Sequence, residues 1–172
     1  CSVNYPGFLE RQRHFTTAGL VERSKKQKLI DMLKRHEGEV KTNGRHVIYK
    51  CPAGFYTLGI GRNVDMNDGI GLSDDEVQYL LENDIERVIK ELSSEYPWFN
   101  GLDDARKDAM IDIGFNLGAT KLRGFRRALA AMEAGKYSSA SDEFLDSKWA
   151  KQVGSRAVEL TEMIRTGEYL DD

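Results

Sequence analysis

The chain has 172 residues, 40% apolar and 31% charged, enough for one domain or a small two-lobed unit, and no apolar run reaches the roughly 18 residues of a membrane span. Lys and Arg number 25 against 28 Asp and Glu, a formal charge of −3, which excludes a generally basic nucleic-acid coat. Two Cys exclude a disulfide scaffold, three His leave little for a metal, and 3 Pro with 16 unpatterned Gly exclude collagen-like and disordered chains.

Charge is unevenly spread: residues 1–50 carry 11 Lys and Arg against 5 Asp and Glu, whereas residues 51–100 carry 3 against 10. A basic opening attracts anionic polymers or is simply a solvated face. Residues 1–24 show a short amphipathic hint (Phe8, Leu9, Phe15, Leu20, Val21) and no apolar core of a secretory signal. They read as an N-terminal extension without an assigned role. The next element is a helix capped by Ser24 and running through Leu29, Ile30, Met32 and Leu33 to about Arg35.

Asn43-Gly44 is a two-residue hairpin signal beside His46-Val47-Ile48-Tyr49. Pro52-Ala53-Gly54 marks a second turn, and Phe55-Tyr56-Thr57-Leu58 reads as a strand, so one small twisted sheet is expected over 40–65. Ser73-Asp74-Asp75-Glu76 is a capping box. It opens a helix whose face carries Val77, Leu80, Leu81, Ile85, Val88, Ile89 and Leu92, and Pro97 ends it. Further helices are expected at 103–115, at 122–134 closed by Gly135, at 139–145, and at 155–166 closed by Gly167. The pattern is α+β: a small antiparallel sheet lobe and a helical C-terminal lobe joined by a long helix, with substrate expected between the lobes.

Three signatures fail. His36-Glu37 starts a zincin motif, but Val40 stands where the second ligand belongs. Gly59-Ile60-Gly61 starts a dinucleotide fingerprint, but position 64 is Val. No P-loop occurs. Counting alone leaves open a zinc amidase built from His36, His46 and Cys51, although its spacing matches no ligand pattern. Glu37 remains, at a helix end facing a small sheet, where a carboxylic acid suits general acid work. Most such Glu residues are solvated caps, so the position alone does not settle its role.

The stretches LIDMLKRHEG (29–38) and YKCPAGFYTLGIGRN (49–63) resemble the active-site segment of T-even-type phage lysozymes, glycoside hydrolase family 24. That pattern has a Glu on the first helix, an Asp or Cys after a hairpin, and a Thr after five intervening residues in a T-x-G-x-G strand. Glu37, Cys51 and Thr57 match it, with Thr57-Leu58-Gly59-Ile60-Gly61 completing the signature. GLSDDEVQYLLEND (71–84), IDIGFNLG (111–118), Gly124-Phe125, Ser147-Lys148-Trp149 and Ser155-Arg156-Ala157 follow in the family's order, covering about 27–170. Three features depart from the pattern. The Asp/Cys position holds Cys51, thirteen residues separate it from Glu37 (a longer hairpin tip around 41–45), and residues 1–24 lack a counterpart.

The resemblance implies a lysozyme-like two-lobed fold and a catalytic domain over 25–172, with a sheet lobe at about 37–70, a long helix at about 73–93 and a helical lobe at about 100–170. It implies hydrolysis of the β-1,4 bond between N-acetylmuramic acid and N-acetylglucosamine in peptidoglycan. Glu37 would be the general acid, with Cys51 and Thr57 holding the attacking water on the opposite face of the sugar. A thiolate nucleophile at Cys51 would instead give a covalent intermediate and retention; water attack with inversion is the family's analogy. Phe115, Asn116 and Arg156 match cleft positions that contact the glycan, and Asp112 stands where the family often has Asn. Trp149 is expected to anchor the core, and His14, His36 and His46 to bind no metal. No cofactor, no nucleic acid, no membrane insertion and a monomer are expected. The protein would wait in the host cytoplasm for holin-type permeabilisation. The alternatives are a lytic transglycosylase using Glu37 alone and a non-catalytic glycan-binding tail module.

Overall fold

A computed structural model describes residues 17–170, and the chain divides between Ser73 and Asp74 into two compact units. The rest of the N-terminal extension lies outside the described residues. Helix α1 (Thr17–Glu37) starts before the expected cap, so Ser24 sits inside it. The run around Ser24 is proline-free and rich in Leu, Glu, Arg, Lys and Gln, and it carries the helix through a serine that costs only a few tenths of a kcal/mol, roughly. Lys34, Arg35 and His36 fill its last turn and oppose the negative end of the helix dipole. Gly38, at φ +74°, closes it by donating its N–H to Lys34 O at 3.0 Å.

The expected single sheet is two. Strands β1 (Lys41–Thr42) and β2 (Arg45–His46) pair antiparallel with Lys41 opposite His46 and Thr42 opposite Arg45. Asn43 (φ +50°) and Gly44 (φ +76°) form the loop between them, and the two positive φ values are those a type I′ turn demands. Val47 still reaches back to Val40 O at 3.3 Å, and exposed Ile48 is the corner where the chain leaves this hairpin. Strands β3 (Tyr49–Lys50), β4 (Tyr56–Leu58) and β5 (Arg62–Asn63) form the second sheet in that order. Tyr49 pairs with Thr57, Lys50 with Tyr56, Thr57 with Asn63 and Leu58 with Arg62.

The second unit is helical: α2 (Asp74–Glu95), a 3-10 turn (Pro97–Gly101), α3 (Asp104–Leu117), α4 (Ala119–Arg123), α5 (Arg126–Glu133), α6 (Tyr137–Leu145), α7 (Lys148–Val153) and α8 (Ser155–Thr166). The whole is α+β, as expected. Along α2, Val88 and Leu92 are buried, whereas Val77, Leu80 and Leu81 of the same stripe are exposed. Gly114 of α3 lets α2 come close, since a Cβ there would lie 3.2 Å from Val88 Cγ1. The core is Phe144, Met110, Ile113, Leu122, Met132 and Ile164, all essentially fully buried.

The helix expected over 122–134 is broken into α4 and α5. At the break Phe125 (ψ +51°) leaves helical geometry and turns its ring 5.3 Å from Phe144 and edge-on to Trp149 at 6.2 Å. That aromatic packing outweighs continuing the helix. Helix α7 was not expected, although its N-cap is readable: Ser147 Oγ accepts from Ala150 N–H at 3.1 Å. The last helix ends as expected, with Gly167 at φ +74° donating to Met163 O at 2.9 Å. Among the described residues no helix is long and apolar enough to cross a membrane.

Phe144 makes this core sensitive to truncation. Phe144→Ala is expected to cost about 3–5 kcal/mol, seen in urea unfolding as a lower midpoint with an unchanged slope.

Candidate active site

Glu37 is the last residue of α1, and its side chain is exposed. The carboxyl lies over the Cα of Gly61, in the turn between β4 and β5. A Cβ added at Gly61 would fall 2.7 Å from Glu37 Oε2, 3.0 Å from Cδ and 3.2 Å from Cγ. Gly61 itself has φ +71°, a conformation side-chain-bearing residues rarely adopt. The carboxylate at the helix end thus lies against the second sheet at a position where only a glycine leaves room for it.

Cys51 directly follows β3 and opens a tight turn. Its N–H donates to Phe55 O at 3.0 Å, and Gly54 (φ +89°) donates back to Cys51 O at 2.8 Å. The half-buried sulfur faces amide donors. The N–H of Phe55 does most to hold the thiol below its ordinary pKa; desolvation opposes it, and the N–H groups of Ala53 and Gly54 and the Thr57 hydroxyl assist. Thr57, only 4% exposed, is paired on both sides within the sheet. Its hydroxyl donates to Phe55 O at 3.1 Å. It carries one proton, so donating to a Cys51 thiolate means giving up that carbonyl.

All three residues expected to be catalytic therefore belong to one small frame: Glu37 beside Gly61, Cys51 beside Thr57, with Thr57 on β4 and Gly61 in the turn that follows it. The sequence reading missed the backbone of Ala53, Gly54 and Phe55. The Pro52-Ala53-Gly54 turn signal was visible, but its amides were not linked to the sulfur.

The expected glycan-contacting residues lie in the second unit. Phe115 is exposed near the end of α3. The neighbouring Asn116 accepts the indole N–H of Trp149 on its Oδ1 at 2.8 Å, which leaves the amide NH2 as its outward donor. Trp149 is 5% exposed and is the core anchor expected. Arg156 is paired with Asp112, with Nε 2.8 Å and a terminal nitrogen 2.7 Å from the same oxygen. Both side chains are 41% exposed, so this pair is weak and readily exchanged for another anion. Among the described residues no three or more His, Cys, Asp and Glu side chains gather as a metal site, so His36, His46 and Cys51 do not form one.

The phage lysozyme family model matches residues 34–165, a span that includes every residue named in this site. The chain belongs to the phage lysozyme family. It is thus a lysozyme-type hydrolase. Probable T4-type lysozyme 2 of Dictyostelium discoideum is 28% identical over 165 residues, covering 81% of this chain and 94% of its own. An endolysin of Acyrthosiphon pisum secondary endosymbiont phage 1 is 30% identical over 140 residues, covering 81% of this chain and 89% of its own. The pre-baseplate central spike protein of Enterobacteria phage T4 is 31% identical over 165 residues, covering 81% of this chain but 28% of that protein.

Two measurements check this geometry. Iodoacetamide alkylation of Cys51 follows the thiolate, so its pH midpoint is expected below that of a free thiol, about 8.5, and Thr57→Val is expected to raise it. A midpoint at or above the free value would remove the amide donors from the sulfur. Asn116→Ala leaves the Trp149 indole N–H without its partner and is expected to lose about 1–3 kcal/mol in thermal or urea unfolding, whatever it does to substrate affinity.

Proposed function

We propose that this hydrolase is an N-acetylmuramidase, cleaving the β-1,4 bond between N-acetylmuramic acid and N-acetylglucosamine in peptidoglycan. The supporting observation is the Glu37 carboxyl seated on Gly61 in the same frame that holds Cys51 and Thr57. Protonated Glu37 delivers its proton to the glycosidic oxygen as the bond breaks and positive charge builds on the ring. Water attacks from the opposite face. Cys51, pushed toward the thiolate by the amides of its turn, takes a proton from that water, and the Thr57 hydroxyl orients it. A neutral thiol would do this poorly, so the lowered pKa is what makes a cysteine serviceable where others use a carboxylate. Inversion at the anomeric carbon follows from water attack.

In the second unit, Asn116 offers its NH2 to the acetamido carbonyl of the glycan. Arg156 exchanges Asp112 for the peptide or lactyl carboxylate, and Phe115 presents an apolar face to a sugar ring. No cofactor enters the reaction. The unit of action is a monomer on the glycan strands, with the catalytic domain over 25–172. The protein acts as a phage lysis enzyme, a reading supported by its endolysin relative, and it waits in the host cytoplasm for a holin-type lesion to give access to the wall. Cys51 in place of a second carboxylate favours one other reading, a lytic transglycosylase in which Glu37 acts alone and no water is consumed.

The acid role is tested by Glu37→Gln, which keeps the shape and removes the proton. Release of soluble fragments from purified peptidoglycan is expected to fall by about 10²–10⁴-fold with the melting temperature nearly unchanged. Turnover near that of the native protein would refute the assignment.

A further inference from the structure

We infer that Gly61 is a positioning residue for the reaction: its bare Cα is the seat on which the Glu37 carboxyl rests, and a Cβ there would take the space that carboxyl occupies. The inference rests on Glu37 being the acid. Gly59 and Gly61 flank the same turn with similar positive φ angles, +64° and +71°. A Cβ at Gly59 meets nothing within 4 Å, whereas one at Gly61 meets three atoms of the Glu37 side chain, the nearest at 2.7 Å. The two glycines therefore share the need for a left-handed conformation and differ in one respect, the carboxyl above Gly61.

When a methyl is forced between them, Glu37 is the partner that yields. The turn is held by the Leu58–Arg62 pair, by Val64 N–H on Tyr56 O at 2.8 Å, and by Arg62 Nη1 on Gly71 O at 3.0 Å. Glu37 is an exposed side chain with free torsions at a helix end. Its carboxyl moves off the seat, and a shift of about 1 Å in a proton donor is enough to cost on the order of 10² in rate. Neither binding of the glycan nor the thiol turn is touched, so kcat should carry the loss.

The test compares Gly61→Ala with Gly59→Ala on purified peptidoglycan. Both are expected to lower the melting temperature by similar amounts, because both strain the same turn. Gly61→Ala is expected to lower kcat about 10²-fold, with KM unchanged, and Gly59→Ala to keep kcat near the native value. A shorter acid retracts from the methyl, so Gly61→Ala is expected to add much less loss to Glu37→Asp than to the native chain. Should Gly61→Ala not fold, Gly61→Asn carries the same Cβ on a residue that tolerates the left-handed region, and the same kcat loss is expected. Equal kcat for folded Gly59 and Gly61 variants, while Glu37→Gln is inactive, would overturn this inference and leave the acid in place. An active Glu37→Gln would overturn both.

Discussion

The Glu37 carboxyl can lie where it does only because Gly61 has no Cβ, and the candidate site depends on that constraint. It sets the end of a long helix beside a sheet whose strands are only two or three residues long. Such strands have little ladder to hold them. Their shape comes from left-handed glycines at 54, 59 and 61 and from the hydrogen bonds that close the turns around them. Thr57 is the one residue of these strands that is well buried, and it sits at the middle, paired with Tyr49 on one side and Asn63 on the other. Glu37 ends a helix, Cys51 opens a turn and Thr57 lies mid-strand, while the buried apolar core lies in the helical unit.

The same turn geometry addresses the absence of a second carboxylate. A free thiol is mostly neutral near pH 7, and a neutral sulfur is a poor base. The turn after Cys51 aims the amide N–H groups of Phe55, Ala53 and Gly54 at its sulfur and favours its anion. Thr57 couples to it through one proton shared in turn between Phe55 O and the sulfur.

Much of this was legible in the residues. Asn43-Gly44 specified its turn because both positions must take positive φ, and Gly167 ended α8 for the same reason. Glu37, Cys51 and Thr57 were singled out by the resemblance of their segments to T-even-type phage lysozymes, since Glu37 alone reads as well as a solvated cap. The start of α1 was not legible, because Ser24 is as good a cap as it is a tolerable interior residue. The break at Gly124-Phe125 depends on Phe144 and Trp149, far along the chain, and no local pattern reports such packing. Asn116 read as a ligand for sugar, yet its carbonyl is engaged by Trp149 from another helix. The seat at Gly61 was hidden inside a motif: spacing showed that a glycine stands there, and only the fold shows what lies above it.

Hydrolysis by water, assisted by Cys51, is the central claim, and it is tested most directly by the ends it leaves. Soluble fragments released from purified peptidoglycan should be analysed by mass spectrometry with and without borohydride reduction. Fragments ending in reducible muramic acid, gaining two hydrogens on reduction, are expected. Anhydro-muramic ends that resist borohydride would contradict water attack and make Glu37 the acid and base of a transglycosylase.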